Sequence, residues 1–336
     1  MLLKFIKTGL ALAAIALLLS LAWLAAGFYS PRKLPAEKVF FEVERGTNIN
    51  AVARELKDRG LIRARLPFVI GYRLFFHPQK IKAGEYAFSS PLRPKDILSL
   101  MVKGKVFLHA VTIPEGLTGR EVMPLLLPLL SDGEEGFRVA FQETGALSLL
   151  DPEAETLEGY LYPETYLWAR GIPAAEATGA MVSQFLSVFS ESWRTRASTL
   201  GMSVRDVVIL ASLIEKETSI PEERNLVSAV FHNRLRLGMK LDCDPTIIYV
   251  LKQEGTYQGR LRKKDMSLDS LYNTYLHSGL PPGPICSPGR EALEAALYPA
   301  ADSYLYFVAR NDGSHHFSRT FSEHQNAVRR YQKNGR

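Results

Sequence analysis

The sequence predicts an α+β protein with three parts: an N-terminal transmembrane helix, a small βααβ subdomain and a larger mixed α+β domain. Three observations predict this. The run from Thr8 to Pro31 is uncharged, and its Leu10–Phe28 section is nearly all apolar. Residues 39–88 read strand–helix–helix–strand. From Thr118 onward helical periodicity dominates, with a strand–turn–strand pattern near the C-terminus.

The apolar run comes first. At ~1.5 Å per residue, about 20 such residues cross the hydrocarbon core of a bilayer. A cleaved leader is the alternative, but its apolar region is usually only ~7–15 residues and ends at a small-x-small site. Here the run is longer and ends Ala25-Ala26-Gly27-Phe28-Tyr29-Ser30, which fits an uncleaved anchor better. Lys4 and Lys7 on one side nearly balance Arg32 and Lys33 on the other, so basic residues alone do not orient it. The short tail before the span is easily left in the cytoplasm, which places the bulk of the chain outside. The expected organisation is a cytoplasmic tail over 1–7, an anchor over 8–29, a linker over 30–38, the small subdomain over 39–108 and the larger domain over 109–336.

In the small subdomain Val39–Val43 alternates as a strand does. Gly46 breaks it, and Thr47 or Asn48 can cap a helix running to about Arg59, ended by Gly60. A second helix fits Ala64–Phe76 with Pro67 in its first turn, and Ile81–Phe88 is the returning strand. A third helix fits Pro94–Val102, closed by Gly104, and Val106–Ile113 reads as a further strand. Pro114–Thr118 then echoes Glu44–Thr47 before another apolar helix, a weak internal repeat. In the larger domain Ala174–Leu200 reads as one or two helices. Ser203 opens another, with Asp206 at capping-box spacing. Pro221 starts the next, which Gly238 closes. Gly279–Gly289 is dense in Pro and Gly and reads as an ordered loop. Ser303–Ala309, Asn311-Asp312-Gly313 and Phe317 outline a hairpin, and a basic helix follows.

The chain has 336 residues and a net charge of +6. The length fits about two domains at ~100–200 residues each and needs no disulfide staples. The charge suits a polyanionic neighbour such as a membrane surface or a carboxylate-bearing polymer, or is simply a basic soluble surface. Neither zinc-finger spacing nor an RNA-binding aromatic signature is present, which argues against nucleic acid. There is no Gly-x-Ser-x-Gly elbow, phosphate-binding glycine loop or paired-cysteine redox motif. Cys243 and Cys286 lack metal-site spacing; they either pair in an oxidising compartment or are two small buried side chains. Adjacent His315 and His316 make a poor metal pair and read as hairpin residues.

One carboxylate stands out. On the helix from Val204 to Glu217, Val207, Leu210, Ala211 and Ile214 share one face. Glu217 follows Ile214 by three residues and continues that stripe, whereas Glu215 points away. A carboxylate there faces the core or a cleft, where desolvation raises its pKa toward what a general acid needs. The other reading is a surface glutamate at a frayed helix end, paired with Lys216 or Arg224, and the pattern alone leaves both open. Asp244 reads either as a turn residue before Pro245 or as a second carboxylate.

Seven ordered motifs then give a resemblance. They are Glu158-Gly-Tyr-Leu-Tyr-Pro163-Glu-Thr-Tyr166; Ala211-Ser-Leu-Ile-Glu-Lys-Glu217-Thr218; Val230-Phe-His-Asn233-Arg234-Leu; Asp244-Pro-Thr246-Ile-Ile-Tyr249; Tyr272-Asn273-Thr274-Tyr275; the Gly279–Ile285 loop with Ser287-Pro-Gly289; and Tyr304-Leu-Tyr-Phe307-Val with His315-x-Phe317. In these the chain closely resembles the endolytic murein transglycosylase (YceG-like) family. The match covers most of the chain after the anchor and is densest over 155–326. The resemblance implies that the small subdomain is LysM-like, a glycan-binding module, and that the second glutamate of the Glu-Lys-Glu run, Glu217, is the catalytic acid/base, followed by Thr218. Cys243 and Cys286 fall in motif regions where the family does not lead one to expect cysteine.

The implied reaction cuts the β-1,4 bond between N-acetylmuramic acid and N-acetylglucosamine without water. Glu217 protonates the glycosidic oxygen, and its carboxylate then takes the proton of the muramoyl C6 hydroxyl as that oxygen attacks C1, leaving a 1,6-anhydro end. One carboxylate suffices because the nucleophile is intramolecular and pre-positioned. Supporting roles hypothesised for this reaction are hydrogen bonds to sugar from Asn233, Thr246 and Asn273, stacking by Tyr160, Tyr166 and Tyr275, and a carboxylate contact from Arg234. Thr218, Asp244 and His315 complete the substrate-binding set. A structural role is an equal alternative for each. The competing functions are a hydrolytic muramidase with Asp244 as second carboxylate, and a non-catalytic anchored peptidoglycan-binding scaffold. Expected partners are peptidoglycan strands, the membrane through a single pass, and peptidoglycan synthases. No metal or organic cofactor is implied. The expected location is the cytoplasmic (inner) membrane, with the catalytic domain on its outer side.

Overall fold

The computed structural model describes residues 2–333. It divides into two compact units. The first runs to His109 and includes Leu167–Gly171; the second holds Ala110–Tyr166 and Ile172 onward.

Helix α1 spans Leu2–Tyr29. Residues 2–7, expected as a separate tail, form its first turns, since they contain neither Gly nor Pro to start the helix later; Met1 lies outside the described residues. Most of its side chains are exposed and apolar. Its two central hydroxyls fold back onto the helix, Thr8 to the Lys4 carbonyl at 2.9 Å and Ser20 to the Ala16 carbonyl at 2.8 Å. That satisfies both without a solvent partner. Only the C-terminal turn is packed. Phe28 is buried and stacks on Phe75 with centroids 5.7 Å apart. Gly71 makes this possible, because a Cβ there would lie 2.3 Å from the Phe28 ring.

Strand β1 (Lys38–Val43) pairs antiparallel with β2 (Gly84–Ser89), Phe41 opposite Tyr86. Between them lie α2 (Ile49–Asp58) and α3 (Arg65–Phe75). Asn48 is the cap, its side chain accepting the Ala51 N–H at 3.0 Å. The βααβ order matches the pattern read from the sequence, but β2 starts at Gly84 rather than Ile81, where φ of +134° turns the chain into the strand. Alternation buries Phe41, Val43, Tyr86 and Phe88 against Val52, Leu56 and Phe68. Helix α4 (Pro94–Lys103) adds Ile97, Leu98 and Met101 and ends at Gly104 in the left-handed region, φ +68°.

Strand β3 (His109–Thr112) leads into the second unit, shorter than the expected Val106–Ile113. Helices α5 (Gly119–Leu126) and α6 (Gly133–Gln142) follow. The echo of Gly46 in Gly116 is a real similarity of turns: both are left-handed, at φ +83° and +75°. Strand β4 (Thr165–Trp168) comes next. The expected Ala174–Leu200 helix is two, α7 (Ala174–Val188) and α8 (Glu191–Thr199). Helix α9 (Val204–Glu217) is central: Val207 through Ile214 are all buried, and it packs against α8, α10 (Pro221–Arg236), α11 (Asp244–Gln253) and α12 (Arg290–Leu297). Ser203 and Asp206 form the expected capping box. Asp244 is not a turn residue; it opens α11, with Pro245 in the first turn, where a missing N–H costs nothing. Strands β5 (Tyr306–Ala309) and β6 (His315–Ser318) form the hairpin, Phe307 opposite Phe317, and α13 (Phe321–Val328) follows. The Pro/Gly loop is pinned to α9: the Ile285 N–H donates to the Ser212 hydroxyl at 3.1 Å, and Arg205 to the Pro282 carbonyl at 2.5 Å.

Candidate active site

Glu217 is the last residue of α9, carried there by the buried stripe that ends at Ile214. It is enclosed by protein, yet part of its side chain still meets a cavity of about 300 Å³. The same cavity is lined by Asp244 from the start of α11, Tyr275, Phe307 of β5 and His315 of β6. Burial pushes the Glu217 carboxyl up to about 7; the Asp244 charge acts in the same direction, and the Cys243 thiol and Arg234 guanidinium oppose it. The alternative pairings do not form: Arg224 bonds Glu291, and the Lys216 ammonium donates to the Gly116 carbonyl at 3.2 Å.

The wall around Glu217 is built by hydrogen bonds. Tyr275 donates its hydroxyl to Asp244 Oδ1 at 2.5 Å, which with burial holds that phenol far above its ordinary range. Thr218, buried and extended, donates to Glu223 Oε2 at 3.4 Å and accepts the Ile220 N–H at 3.1 Å. Glu223 in turn accepts from His315 twice, from the backbone N–H at 2.8 Å and from Nδ1 at 2.7 Å. Thus Glu217, Asp244, Tyr275 and His315 share one cavity, with Thr218 directly behind.

The other expected site residues lie elsewhere or are already engaged. Arg234 is 7 % exposed, and its guanidinium donates to the carbonyls of Lys240, Leu241 and Leu305 and to Asp242 Oδ2. It ties down the turn where Asp242 is left-handed at φ +48°, and it is not free to meet a ligand carboxylate. Asn233 spends its amide on the carbonyls of Asp302 and Tyr304. Asn273 is fully buried; its amide donates to the Met266 and Leu268 carbonyls, and its oxygen accepts the Tyr275 N–H at 3.0 Å. Thr246, also fully buried, bonds the Cys243 carbonyl. These three cannot present the expected hydrogen bonds to a sugar, because their polar atoms close loops around the site. Tyr160 is 1 % exposed and donates to Asp151 at 2.6 Å, so its ring has no free face for stacking. Tyr166 donates to the Tyr162 carbonyl at 2.7 Å.

Two groups at the site were not read as site residues from the sequence. Glu223 looked like an ordinary first-turn acid of α10, although its position five residues after Thr218 was a usable signal. Cys243 touches the Glu217 carboxyl; both cysteines are buried free thiols, so they do not pair. A second buried acid, Glu158, lies away from this cavity. It accepts the Gly119 N–H at 3.1 Å, and burial pushes it also to about 7.

An α+β domain with a desolvated acid at the end of a buried helix, opening on a small polar cavity, has the chemistry to support acid catalysis on a polar substrate. The chain belongs to the YceG-like family, whose model matches residues 41–330. It is 28 % identical over 318 residues to a Bacillus subtilis (strain 168) protein named endolytic murein transglycosylase, covering 88 % of this chain and 87 % of that one. A Streptococcus pneumoniae protein of the same name is 27 % identical over 325 residues; this chain spans 57 % of its length. The crystal structure of a YceG-like protein from Listeria monocytogenes superposes with a TM-score of 0.58 at 31 % identity, covering 86 % of this chain and 98 % of that one.

Proposed function

We propose that this protein is a membrane-anchored lytic transglycosylase of peptidoglycan, cutting glycan strands internally with Glu217 as its acid. The observation that carries the reading is the Glu217 carboxyl, held near 7 by burial at the end of an otherwise apolar helix and opening on a cavity. Such a group still carries its proton in a large share of molecules at neutral pH, unlike an ordinary carboxylate, and can deliver it to a leaving glycosidic oxygen. The names of the related proteins support the same substrate.

The muramoyl C6 oxygen attacks C1 as the glycosidic bond breaks, and a 1,6-anhydro end results. No water enters, so no second carboxylate is needed to activate one. Ordinary glycosidases place two carboxyls ~5–5.5 Å or ~6.5–9.5 Å apart for that purpose. In the single-carboxylate scheme Glu217 itself takes the C6 proton. The supporting set is Thr218, Asp244, Tyr275 and His315, with Tyr275 the one tyrosine of the expected three that faces the cavity.

Helix α1 supplies the anchor. Within its Lys4–Tyr29 section an 18-residue window has a mean hydropathy of 2.3, and 26 residues exceed the ~20 needed to span. Residues 8–29 would cross the cytoplasmic membrane once, with 1–7 inside and everything after the 30–38 linker outside. The βααβ subdomain over 39–108 would act as a LysM-like glycan-binding module. Half-exposed Phe40 lies 5.0 Å from Phe107, with the Lys38 ammonium 4.4 Å over the latter, an amphipathic surface on which a sugar ring can stack. Residues 109–336 would form the catalytic domain. Working beside the membrane on newly made strands, the enzyme would limit glycan length in company with peptidoglycan synthases.

The test is mass spectrometry of products after incubating the full chain in detergent with uncrosslinked peptidoglycan, wild type beside Glu217→Gln. Anhydro-muramoyl ends from wild type alone are expected. One observation keeps a second reading in view: Asp244 lies in the Glu217 cavity, as a muramidase would require. Reducing ends in place of anhydro ends would select it, and strand binding without cleavage would select a scaffold.

A further inference from the structure

The cavity that holds Glu217 also holds an imidazole in a fixed setting. His315 Nδ1 lies 2.7 Å from Glu223 Oε2, and the His315 N–H donates to Glu223 Oε1 at 2.8 Å. One carboxylate therefore grips both the ring and the backbone of the same residue. Both side chains are largely buried, with 13 % of His315 and 11 % of Glu223 exposed. A carboxylate at Nδ1 accepts a hydrogen bond, so in the neutral ring Nδ1 carries the hydrogen and Nε2 carries the lone pair. Phe307 and Phe317 pack around the ring, with centroids 5.4 Å and 6.4 Å away, and stop it from turning. Glu223 is itself positioned from the catalytic helix: Thr218, next after Glu217, donates to the same Oε2. Among the described residues Nε2 has no hydrogen-bond partner, while His315 lines the Glu217 cavity. The orientation of acid and imidazole is thus set through one short chain, Glu217–Thr218–Glu223–His315.

We infer that His315 is the base of the proposed reaction and Glu223 its positioning residue. This rests on the transglycosylase reading and alters one step of the single-carboxylate scheme. Glu217 gives its proton to the glycosidic oxygen as the C1–O bond breaks. The C6 oxygen forms its bond to C1 and gives its proton to His315 Nε2. The imidazolium is stabilised by Glu223 and returns its proton to the Glu217 carboxylate after the products leave, so no proton is gained or lost. Splitting the roles removes a constraint, since a single carboxylate must reach both the leaving oxygen and the C6 hydroxyl.

The test uses the full chain in detergent with uncrosslinked strands. His315→Gln keeps a hydrogen-bonding side chain but accepts no proton; it should lower kcat for anhydro-end formation about 100-fold or more, with strand affinity measured in a Glu217→Gln background unchanged. Imidazole should restore turnover to His315→Ala, a rescue that a merely structural role would not give. Glu223→Gln should lower kcat with KM unchanged. Independently of any variant, ring ¹⁵N shifts of wild-type His315 should report the Nδ1–H tautomer. Wild-type anhydro ends with His315→Gln within about threefold of wild-type turnover would overturn the inference and leave the transglycosylase standing, as would an Nε2–H tautomer or a loss confined to affinity. Absence of anhydro ends from wild type would overturn both.

Discussion

Tyr275 donates its hydroxyl to Asp244 at 2.5 Å at the mouth of the Glu217 cavity. The charge of Asp244 is one of the two influences that push the Glu217 carboxyl up. A carboxylate that is neither acid nor nucleophile can still set the pH range of its neighbour.

Asp244→Asn should therefore move activity to lower pH. A general acid works in its protonated form, so activity falls as pH rises through its pKa. Burial, the larger influence, remains in the variant, but the repulsion from Asp244 is gone, and Glu217 loses its proton at lower pH than the wild-type value of about 7. The alkaline limb of the pH–kcat profile should shift down, with the product unchanged. A variant that stops cutting at every pH would mean that Asp244 takes part in bond-making.

Glu217→Gln should stabilise the protein at alkaline pH while abolishing cleavage. The folded-state pKa of Glu217 is raised above the unfolded value, so its ionisation costs folding energy once pH exceeds that unfolded value, and the cost is complete above about pH 7. The shift from 4.5 to about 7 corresponds to roughly 3 kcal/mol as an upper figure. Thermal melts of wild type and variant should nearly coincide at pH 4 and separate by several degrees at pH 8. Equal melting at both would show that Glu217 is well solvated.

Asn273→Ala should act on stability first. The amide closes the turn that presents Tyr275, and its loss leaves the Met266 and Leu268 carbonyls and the Tyr275 N–H without partners in a partly buried setting. Unmet buried groups cost about 1–3 kcal/mol, readable as a lowered urea midpoint. A variant as stable as wild type but inactive would instead restore the direct sugar contact expected from the motif.

What the sequence makes legible, and what it hides, follows from range. The Glu217 stripe, the Ser203–Asp206 cap and the βααβ pattern depend on spacings within one or two elements, and they read correctly. Helix α11 was missed because Asp244-Pro245 suits a turn as well as a helix start; the buried spacing of Ile247, Val250 and Leu251 carried the helical signal. The motif residues Asn233, Asn273 and Arg234 drew attention to the right part of the chain, but spacing does not reveal which carbonyls a side chain meets. Asn233 bonds residues 69 and 71 positions away. Glu223 and His315 are 92 residues apart, and only the folded chain joins them.

The last prediction concerns the packing of the Pro/Gly loop against α9. Gly159 is left-handed at φ +84°, and a Cβ there would lie 2.4 Å from the Pro284 ring and 3.0 Å from Val208 of α9. Gly159 thus lets the Glu158–Pro163 segment and the Pro/Gly loop meet over α9. Gly159→Ala adds both strain at positive φ and a clash with a rigid ring, so neither side can yield without moving α9 or the loop. A destabilisation of about 2 kcal/mol or more is expected from these combined effects, seen as a lower urea midpoint. Because the loop also contacts Ser212 in the middle of α9, kcat should fall more than KM rises. Pairing Gly159→Ala with Pro284→Ala should recover part of the stability by removing the ring, while the positive-φ strain persists. If the double variant is no more stable than the single one, the cost lies in the positive-φ strain and the Val208 contact, and the contact with Pro284 carries none of it.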